Sequence, residues 1–375
     1  MMFPTLPSAL IKTISALRAT QIYRHFSATY SSNMAGLPST VQAVSIQKTG
    51  DFDVIEKATL PFPKHVPGNL VVKVDYFGVN FIDTYFRKGL YPLKEFPAVL
   101  GMEAAGTVVA LPTDEKVLND PDFKKRNYTI GSKVIANNMG VHQTYISIPW
   151  LKAPPVPASV DTKIAAAAGL QALTALSFFT EAYNVKQGDV ILIHTVAGGL
   201  GLLMAQLGKY RGATVIGTTS TKEKAEIAKA NGADHVILYT SENTAERVLE
   251  LTNGEGVHAV FDGVGKDTFE DNFKLLRRKG TFVSLGNASG PIAPFSPLKL
   301  VEKNLKFLRP SMPNYLVTPE ESNYYVTEVF DLISKGILKI NIYKVYPFTA
   351  EAVQQAQKDL TGGKTTGKLV IDARA

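Results

Sequence analysis

Residues 189–201, DVILIHTVAGGLG, decide the fold of this chain. Val190 to Ile193 form a short, continuous apolar run, which is typical of a strand buried in a parallel sheet. A glycine-rich turn follows, and Gly201 to Tyr210 have the pattern of a helix. A strand, a glycine turn and a helix in this order let backbone amides approach a pyrophosphate at the helix N-terminus. The stretch therefore predicts a dinucleotide site.

The glycine pattern G-x-G-x-x-G is incomplete in this turn. Val196 stands at the place of the first glycine, whereas Gly198 and Gly201 match the second and third. A glycine turn by itself is weak evidence, because an ordinary strand-to-helix turn can also contain glycines. The prediction therefore depends on the segments that surround the turn.

Strand-like and helix-like segments alternate regularly around this turn. Ala165 to Ala168 open a helical stretch that runs to Tyr183. Downstream, the patterns predict strands at 214–218, 235–238, 257–262 and 281–285, and helices at 222–230, 245–251 and 268–278. This βαβ rhythm predicts an α/β fold with a doubly wound parallel sheet.

The end of the second strand indicates which dinucleotide binds. An NAD site usually has Asp or Glu at this point, about 20 residues after the glycine turn, to bind the ribose hydroxyls. Here residues 219–224 read TSTKEK, with hydroxyls and two lysines. These groups suit a 2′-phosphate, which a carboxylate would repel. The sequence therefore predicts NADPH, although the lysines also fit an exposed helix face.

The first part of the chain has a different pattern. Short apolar runs at 41–44, 70–74 and 104–109 are separated by prolines, which favours β-strands and loops. Residues 112–130 are polar and charged, and we expect a surface insertion there. Beyond Lys306 the alternation loosens and the chain ends in a strand-like run, so the C-terminal part is predicted to return to the first domain.

Composition sets the outer limits of the function. The chain has 375 residues, of which 45% are hydrophobic and 19% charged, enough for two globular domains. It has no cysteine, which excludes disulfides, thiolate metal sites and a cysteine nucleophile. No apolar run approaches the roughly 18 residues of a membrane span, so we expect no membrane partner. The net charge of +7 is weak evidence for binding of nucleotides or nucleic acids.

Residues 1–33 have the composition of a targeting segment. They lack acidic residues, carry spaced basic residues and are rich in Ser and Thr, as mitochondrial transit peptides are. Arg24, three residues before Ser27, resembles a processing site. We expect a protein of the mitochondrial matrix after this segment is removed, with a second, cytoplasmic form starting at Met34. A disordered tail of chance composition is the alternative.

Several short motifs together resemble one protein family. They are residues 80–85 (NFIDTY), 89–92 (GLYP), 101–106 (GMEAAG), 197–201 (AGGLG), 286–290 (GNASG) and 309–311 (RPS). In this combination they resemble the zeta-crystallin-type NADPH:quinone oxidoreductases, a zinc-free branch of the medium-chain dehydrogenase/reductase superfamily. The resemblance covers about residues 40–375. It implies NADPH-dependent reduction of quinones by a homodimer.

The same resemblance implies a domain organisation. A GroES-like, β-rich catalytic domain would comprise residues 34–163 and 307–375. A Rossmann domain that binds NADPH would comprise residues 164–306. The active site would lie in the cleft between the two domains.

The resemblance also assigns residues to both sides of that cleft. The substrate side would be lined by Asn80, Asp83, Tyr85 and Tyr91. The NADPH side would be formed by Thr174, Ala197, Gly198, Gly199, Leu200, Gly201, Ser220, Lys224, Tyr239, Leu285, Gly286, Asn287 and Lys364. Two positions depart from the family pattern. Val196 replaces a smaller residue, and Leu285 stands where some relatives have Phe, which leaves the packing near the nicotinamide open.

Tyr91 and Asn80 are our candidates for binding the acceptor oxygen. A phenol hydroxyl and an amide can donate hydrogen bonds to an oxygen on which charge develops after hydride transfer. An unperturbed tyrosine ionises near pH 10, so it is a donor at neutral pH rather than a base. The alternatives are aromatic packing for Tyr85 and Tyr91, helix capping for Asn80 and Asp83, and a solvated surface position for Lys364.

The available donor residues do not suggest a metal. The zinc-dependent branch of the superfamily uses Cys and His ligands, and this chain has no Cys. Met102 stands where that branch has its His, and Met is a poor zinc ligand. We therefore predict a metal-free site.

Two other functions remain open. A sister branch of enoyl-thioester or alkenal reductases keeps a Gly-x-Tyr-Pro segment and fits a mitochondrial location, but residues 80–85 match the quinone branch better. From another class, zeta-crystallin relatives are associated with AU-rich RNA and with a structural, crystallin-like role. The chain has no recognisable RNA module and no dense basic-aromatic patch.

Overall fold

The computed structural model describes residues 36–64 and 66–375. The predicted targeting segment and the second start at Met34 lie outside the described residues. The strands, in chain order, are β1 (Thr40–Ile46), β2 (Glu56–Pro61), β3 (Asn69–Val79), β4 (Ala98–Val99), β5 (Ala104–Ala110), β6 (Lys133–Ala136), β7 (Tyr145–Pro149), β8 (Val190–Ile193), β9 (Thr214–Thr219), β10 (His235–Leu238), β11 (Val257–Asp262), β12 (Leu276–Ser284), β13 (Lys306–Leu308), β14 (Ile342–Pro347) and β15 (Lys368–Asp372).

The α-helices of the same residues are α1 (Phe81–Arg87), α2 (Glu115–Asn119), α3 (Pro121–Lys125), α4 (Thr162–Ala168), α5 (Gln171–Ser177), α6 (Gly199–Tyr210), α7 (Lys222–Ala230), α8 (Thr244–Leu251), α9 (Phe269–Leu275), α10 (Pro319–Ser334) and α11 (Ala350–Thr361).

Six parallel strands form the sheet of the Rossmann domain, in the order β10-β9-β8-β11-β12-β13. Numbered within the sheet, this is the order 3-2-1-4-5-6 of dinucleotide-binding domains, and the direction of winding changes between β8 and β11. The predicted doubly wound α/β fold is confirmed. Helix α7 and strands β10 and β11 begin and end at the predicted residues.

The catalytic domain is built around β3. One sheet has the order β14-β15-β3-β5-β6, with β7 also pairing with β3, and a smaller sheet has the order β2-β1-β4. The C-terminal strand β15 runs antiparallel to β3, with Leu369 opposite Val79. This pairing confirms that the end of the chain returns to the first domain, as predicted.

The chain returns to the catalytic domain later than residue 307. Strand β13 is the sixth strand of the Rossmann sheet, so the boundary predicted at 306 falls inside it. Helix α10 packs on α5 within the same hydrophobic core as the Rossmann strands. Strand β14 is the first later element that joins the catalytic sheet. The sequence of residues 307–341 does not reveal this later boundary, because one short strand and one long helix do not form a recognisable βαβ rhythm.

One predicted helix is shorter than expected. The helix predicted at 268–278 ends at Leu275. The chain then enters β12, where Leu276 already pairs with Val257, and Lys279 has a positive φ of 66° at an irregularity of the strand. Because the Leu276 side chain is fully buried (0% exposed), packing in the sheet overrides the helical pattern.

The predicted surface insertion at 112–130 is anchored to the core. It contains α2 and α3, and the Asp120 side chain accepts backbone N–H groups at the start of α3. Phe123 is buried, and its ring centre lies 5.2 Å from that of Tyr128 and 5.6 Å from that of Trp150. The insertion therefore carries its own apolar contact with the catalytic domain.

Helices α4 and α5 lie between the two domains. The helix predicted at 165–183 breaks after Ala168 and ends in a π-helical turn, Phe178–Ala182. Residues 165–168 are fully buried in a core that contains side chains of both domains. In the described part of the chain, no single helix is long and apolar enough to cross a membrane, and this bent pair alone passes a test of length and composition.

Candidate active site

The glycine turn joins β8 to α6. The side chain of Val196 is fully buried, and a Cβ on Gly217 of the neighbouring strand would lie 2.6 Å from its Cβ. The valine that departs from the glycine pattern therefore fits because the next strand has glycine opposite. A Cβ on Gly201 would lie 2.6 Å from the Thr195 carbonyl oxygen and 2.7 Å from that of Val196. Only glycine fits the third position without a shift of the backbone.

Helix α6 begins with unpaired backbone amides. Gly198 is its N-cap residue and provides no side-chain cap. The N–H groups of Gly199, Leu200 and Gly201 have no partner within the helix and carry a partial positive charge. Ala197 is buried, whereas residues 198–200 are partly exposed. This arrangement fits a bound pyrophosphate.

A loop of the catalytic domain, residues 362–367, lies against this turn. Gly367 forms an isolated parallel bridge with Gly198. The ammonium of Lys224 donates to the carbonyl of Gly363. Lys364 lies in the same loop and is exposed. The two domains therefore meet at the glycine turn, through the loop that contains Lys364.

The edge at residues 219–224 has the predicted polar character. Thr221 caps α7 by accepting from the Lys224 N–H at 3.3 Å, and Ser220 is half-buried. Tyr239, 51% exposed, follows the next strand, and its N–H donates to the Thr219 carbonyl at 3.1 Å. Burial lowers the pKa of Lys224. A hydroxyl, an amine and a phenol at one strand edge fit an adenosine 2′-phosphate.

The loops after β11 and β12 form the opposite end of the coenzyme side. The N–H groups of Leu285 and Gly286 donate to the Asp262 carbonyl at 2.8 and 3.2 Å. The Asp262 carboxylate is fully buried and accepts hydrogen bonds from residues 264–272. Ligands of doubly wound sheets bind outside the carboxyl ends of the strands. These loops are therefore placed for the nicotinamide end of a dinucleotide.

Tyr85 and Tyr91 reach these loops from the catalytic domain. The Tyr85 hydroxyl accepts from the Asn287 N–H at 2.9 Å, and the Tyr91 hydroxyl accepts from Nη2 of Arg309 at 3.1 Å. The two rings lie edge to face, 5.3 Å apart. Because each oxygen already accepts an N–H, its own O–H proton is available to a further acceptor. Burial raises the pKa of Tyr85, which keeps this phenol protonated at neutral pH.

Arg309 follows β13 and completes this cluster. Its Nη1 donates to the Gly286 carbonyl at 3.1 Å and to Ser284 Oγ at 3.3 Å. The amide of Asn287, in the orientation that satisfies both of its atoms, accepts from Arg309 and donates to Gly286, each at 3.0 Å. Among the described residues Arg309 forms no ion pair. The guanidinium therefore places uncompensated positive charge beside Tyr91.

Asn80 differs from the role predicted for it. Its side chain is 4% exposed, Nδ2 donates to Glu103 Oε2 at 2.9 Å, and Oδ1 accepts from Lys368 Nζ at 2.6 Å. The amide is therefore used inside the protein and does not fit the predicted role of donor to the acceptor. Asp83 accepts from the Asn80 N–H at 2.8 Å, which agrees with the alternative of helix capping.

Two titratable groups near Asn80 are fully buried. Burial raises the pKa of Asp83 to about 7, and its Oδ1 has no hydrogen-bond partner. The second group is His142, whose Nε2 lies 3.1 Å from the Gly78 carbonyl oxygen. Burial lowers the pKa of His142 to about 3, so the ring is neutral at neutral pH.

Thr174 lies on α5, one turn after Leu170. Its hydroxyl donates to the Leu170 carbonyl at 2.7 Å, so the oxygen is left to accept a hydrogen bond. The Leu170 N–H donates to Glu103 Oε1. The predicted coenzyme residue Thr174 is thus connected to the carboxylate that also holds Asn80.

Four residues of this region were missed by sequence reasoning. Glu103 and Arg309 stand within quoted motifs, but nothing local in those motifs indicates which residues they contact. Lys368 reads as part of an ordinary strand. His194 is buried below the glycine turn, where its ring nitrogens lie 3.1 Å from Thr218 Oγ1 and 2.8 Å from Asn272 Oδ1. Only the folded chain brings these partners together.

Comparisons with known proteins agree with this fold. The family described as alcohol dehydrogenase GroES-like domain matches residues 66–158, and the family described as zinc-binding dehydrogenase matches residues 199–333. A probable quinone oxidoreductase of Schizosaccharomyces pombe is 39% identical, over 88% of this chain and 96% of the relative. A 2-haloacrylate reductase of a Burkholderia species is 34% identical, over 88% of this chain and 98% of the relative. The crystal structure of Escherichia coli quinone oxidoreductase complexed with NADPH has a TM-score of 0.83 at 33% identity, over 88% of this chain and 99% of that one.

A GroES-like domain joined to a Rossmann domain around a shared cleft defines a medium-chain dehydrogenase/reductase. The predicted class is confirmed by the topology and by both family matches. Within this superfamily, the chain belongs to the quinone oxidoreductase family.

Zinc, which one of the matched families has in its description, does not fit this chain. The whole sequence lacks cysteine. Across residues 36–64 and 66–375, no three His, Asp or Glu side chains come together as a metal site. The chemistry of the site is therefore derived from its tyrosines, its arginine and the coenzyme.

Proposed function

We propose that this protein reduces quinones with NADPH at the cleft between its two domains. The observation that carries the proposal is the pair of phenol hydroxyls of Tyr85 and Tyr91, each accepting an N–H from the carboxyl edge of the Rossmann sheet. The relatives named quinone oxidoreductase, and the one complexed with NADPH, support both the acceptor and the coenzyme.

The coenzyme side provides separate contacts for each part of NADPH, which supplies a hydride when bound. The amides of residues 199–201 bind the pyrophosphate. Ser220, Lys224 and Tyr239 bind the 2′-phosphate. The remaining proposed contacts are Thr174, Leu285, Gly286, Asn287 and Lys364.

Tyr91 acts on the acceptor. Its O–H donates to a quinone carbonyl oxygen, and this hydrogen bond strengthens as the oxygen becomes negative. The guanidinium of Arg309, 3.1 Å from the phenol oxygen, stabilises negative charge there and so favours transfer of the phenol proton to the product. Tyr85, with its raised pKa, orients the acceptor as a second donor.

Stopped-flow mixing with an ortho-quinone tests the proposal. Absorbance in the nicotinamide band is expected to fall when NADPH and quinone are both present, and to stay constant without quinone. Tyr210→Phe, a change at an exposed tyrosine far from the cleft, serves as the matched control and should behave like the wild type. NADPH that binds, as seen by its fluorescence, but is not consumed with any quinone would refute the proposal.

Reduction of an activated alkene is a second candidate. The 34% identical 2-haloacrylate reductase supports it. A donor at Tyr91 serves the enolate oxygen of an alkenal or enoyl thioester in the same way as a quinol oxygen. Assays with a crotonyl thioester and an alkenal decide between the two. If kcat/KM for the crotonyl thioester or the alkenal exceeds that for quinones, alkene reduction becomes the first candidate function.

We also propose a homodimer formed through the open edge of β13, which pairs only with β12 among the described strands. Leu298 and Val301, shortly before this strand, are 77% and 64% exposed. An open strand edge and exposed aliphatic side chains a few residues before it in the chain together suit a second copy of this chain. Light scattering should give a dimer for the wild type and a monomer for Leu298→Asp. A monomeric wild type would refute this proposal.

Location and RNA binding rest on the sequence alone. We propose a mitochondrial location from the acid-free composition of residues 1–33. Microscopy of the full chain, with a reporter at its C-terminus, should show mitochondria, whereas a chain starting at Met34 should stay in the cytoplasm. Binding of AU-rich RNA stays a prediction, checked by salt-dependent retention that NADPH competes away.

A further inference from the structure

Three buried polar side chains form a closed triangle beside the cleft. Lys368 and Glu103 are 1% and 0% exposed and form an ion pair. Both hold Asn80, because Lys368 Nζ donates to its Oδ1 at 2.6 Å and Glu103 Oε2 accepts from its Nδ2 at 2.9 Å. We call these three residues, Asn80, Glu103 and Lys368, the Glu103 clamp.

Stability alone does not explain why the clamp is present. Buried ion pairs can often be replaced by apolar side chains without loss of stability, because desolvation offsets their attraction. The clamp also requires a glycine inside strand β3. A Cβ on Gly78 would lie 2.7 Å from Lys368 Cε and 2.9 Å from the Ala166 carbonyl oxygen. Since glycine in a strand interior weakens the strand, two unfavourable features are kept together at this point.

The clamp connects the two sides of the cleft. On the acceptor side, Asn80 directly precedes α1, the helix that carries Tyr85. On the coenzyme side, the second oxygen of Glu103 accepts from the Leu170 N–H, and the Leu170 carbonyl accepts from the Thr174 hydroxyl at 2.7 Å. One carboxylate therefore contacts the backbone that holds Thr174 and the residue that begins α1.

We propose that Glu103 and Lys368 are positioning residues that align acceptor and coenzyme for hydride transfer. The proposal rests on the function proposed above. Glu103 and Lys368 are buried, and they act through Asn80 on one side and Leu170 on the other. Hydride transfer requires close approach of donor and acceptor carbon atoms, and a displacement of about 1 Å can reduce the rate about 100-fold.

A double-mutant cycle tests this inference. Lys368→Met keeps the length of the side chain and removes its charge, Glu103→Gln removes the opposite charge, and the double variant removes both. The matched control is Asp331→Asn with Lys335→Met, an exposed ion pair on α10. Circular dichroism gives the folded fraction of each variant. If Lys368→Met does not fold, the double variant, which leaves no unpaired buried charge, carries the test.

Kinetics separate positioning from stability. We expect Lys368→Met to lower kcat at least about tenfold per folded molecule, with the NADPH dissociation constant within about twofold of the wild type. The loss of kcat in the double variant should be no larger than in either single variant, because the two residues act as one unit. The control pair should keep the wild-type kcat. Loss of activity only in proportion to the unfolded fraction, or additive losses, would overturn the inference.

A binding measurement gives an answer that does not depend on turnover. Calorimetry measures the affinity for 2-naphthol, a redox-inert stand-in for the quinol, with and without NADP⁺. The wild type should bind 2-naphthol more tightly when NADP⁺ is present, and Lys368→Met should lose this linkage. A wild type without linkage, or a variant that keeps it, overturns the inference. A wild type that shows linkage but consumes no NADPH with quinones contradicts the proposed function and leaves the clamp intact.

Discussion

The two sides of the cleft are built in opposite ways. The proposed phosphate contacts of the coenzyme side are backbone amides at 198–201 and partly exposed side chains at 220–224, which are close together in the chain. The acceptor side depends on distant pairs: Asn80 contacts Lys368, 288 positions away, and Tyr91 contacts Arg309, 218 positions away. One side is a local motif, and the other exists only in the folded chain.

This difference determines what a substitution should change. On the coenzyme side the binding groups are mostly backbone, so a variant acts by filling space or by removing a charge, and its effect appears in coenzyme affinity. On the acceptor side the groups are side chains that contact each other, several of them buried, so a variant affects turnover and pH-dependent stability. The predictions below test this division.

The largest effect is expected at the glycine turn. In Gly201→Ala the added Cβ would lie 2.6–2.7 Å from backbone atoms of residues 195 and 196, and the amides that bind the pyrophosphate must shift. We expect the NADPH dissociation constant to rise at least about 100-fold, measured by fluorescence titration. Gly68→Ala is the control, because its Cβ would lie 3.5 Å from Val117, an ordinary contact. Unchanged affinity in Gly201→Ala would show that the turn does not hold the coenzyme.

On the acceptor side, Tyr91→Phe should reduce turnover and not affinity. The variant keeps the ring and loses the donor to the acceptor oxygen, so kcat should fall about 100-fold while the NADPH dissociation constant stays the same. Tyr85→Phe should cost less, because this phenol orients the acceptor. The two variants are compared by steady-state kinetics and coenzyme titration. A larger loss of NADPH affinity than of kcat would place Tyr91 on the coenzyme side instead.

Lys224→Ala should reduce the preference for NADPH over NADH about tenfold, because one charge-assisted hydrogen bond to the 2′-phosphate is lost. Affinity for NADH should stay near the wild-type value. Lys186→Ala, at an exposed lysine in the loop before β8, is the matched control. An equal loss for both coenzymes would mean that Lys224 serves the contact between the domains, through Gly363, rather than the phosphate.

The last predicted effect concerns the dependence of stability on pH. The pKa of Asp83 is raised to about 7, so the folded protein keeps this carboxyl proton to a higher pH than the unfolded chain does. The free energy of unfolding therefore falls as pH rises from about 4 to 7. The pKa of His142 is lowered to about 3, so its contribution to stability is lost as pH falls from about 6.5 towards 3. Between about pH 4 and 6.5 the two slopes oppose each other.

Replacing either group should leave only the pH dependence of stability that comes from the other. Relative to the wild type, the free energy of unfolding of Asp83→Asn should rise with pH in this window, by at most about 1.4 kcal/mol per pH unit. That of His142→Asn should fall with pH by at most the same amount. Urea unfolding at several pH values measures both. Parallel pH profiles for the wild type and both variants would show that neither group is held in the buried state described here.

The sequence predicts the Rossmann sheet well because its signals are local. A buried strand, a glycine turn and the βαβ rhythm each need only neighbouring residues, and the bounds of α7, β10 and β11 agree with the prediction. The errors lie where packing competes with a local pattern. Leu276 leaves its predicted helix to enter the sheet, and β13 continues the sheet where the rhythm is no longer visible.

The sequence by itself determined the α/β fold, the glycine turn and the polar edge at residues 219–224, because each depends on residue types at short spacing. Tertiary structure alone decided that the amide of Asn80 is used internally, that Arg309 supports Tyr91 and that Glu103 joins the two sides of the cleft. The physical reason is that a hydrogen bond or buried ion pair depends on distance and desolvation in space. Residues separated by hundreds of positions acquire these only when the sheets and helices pack.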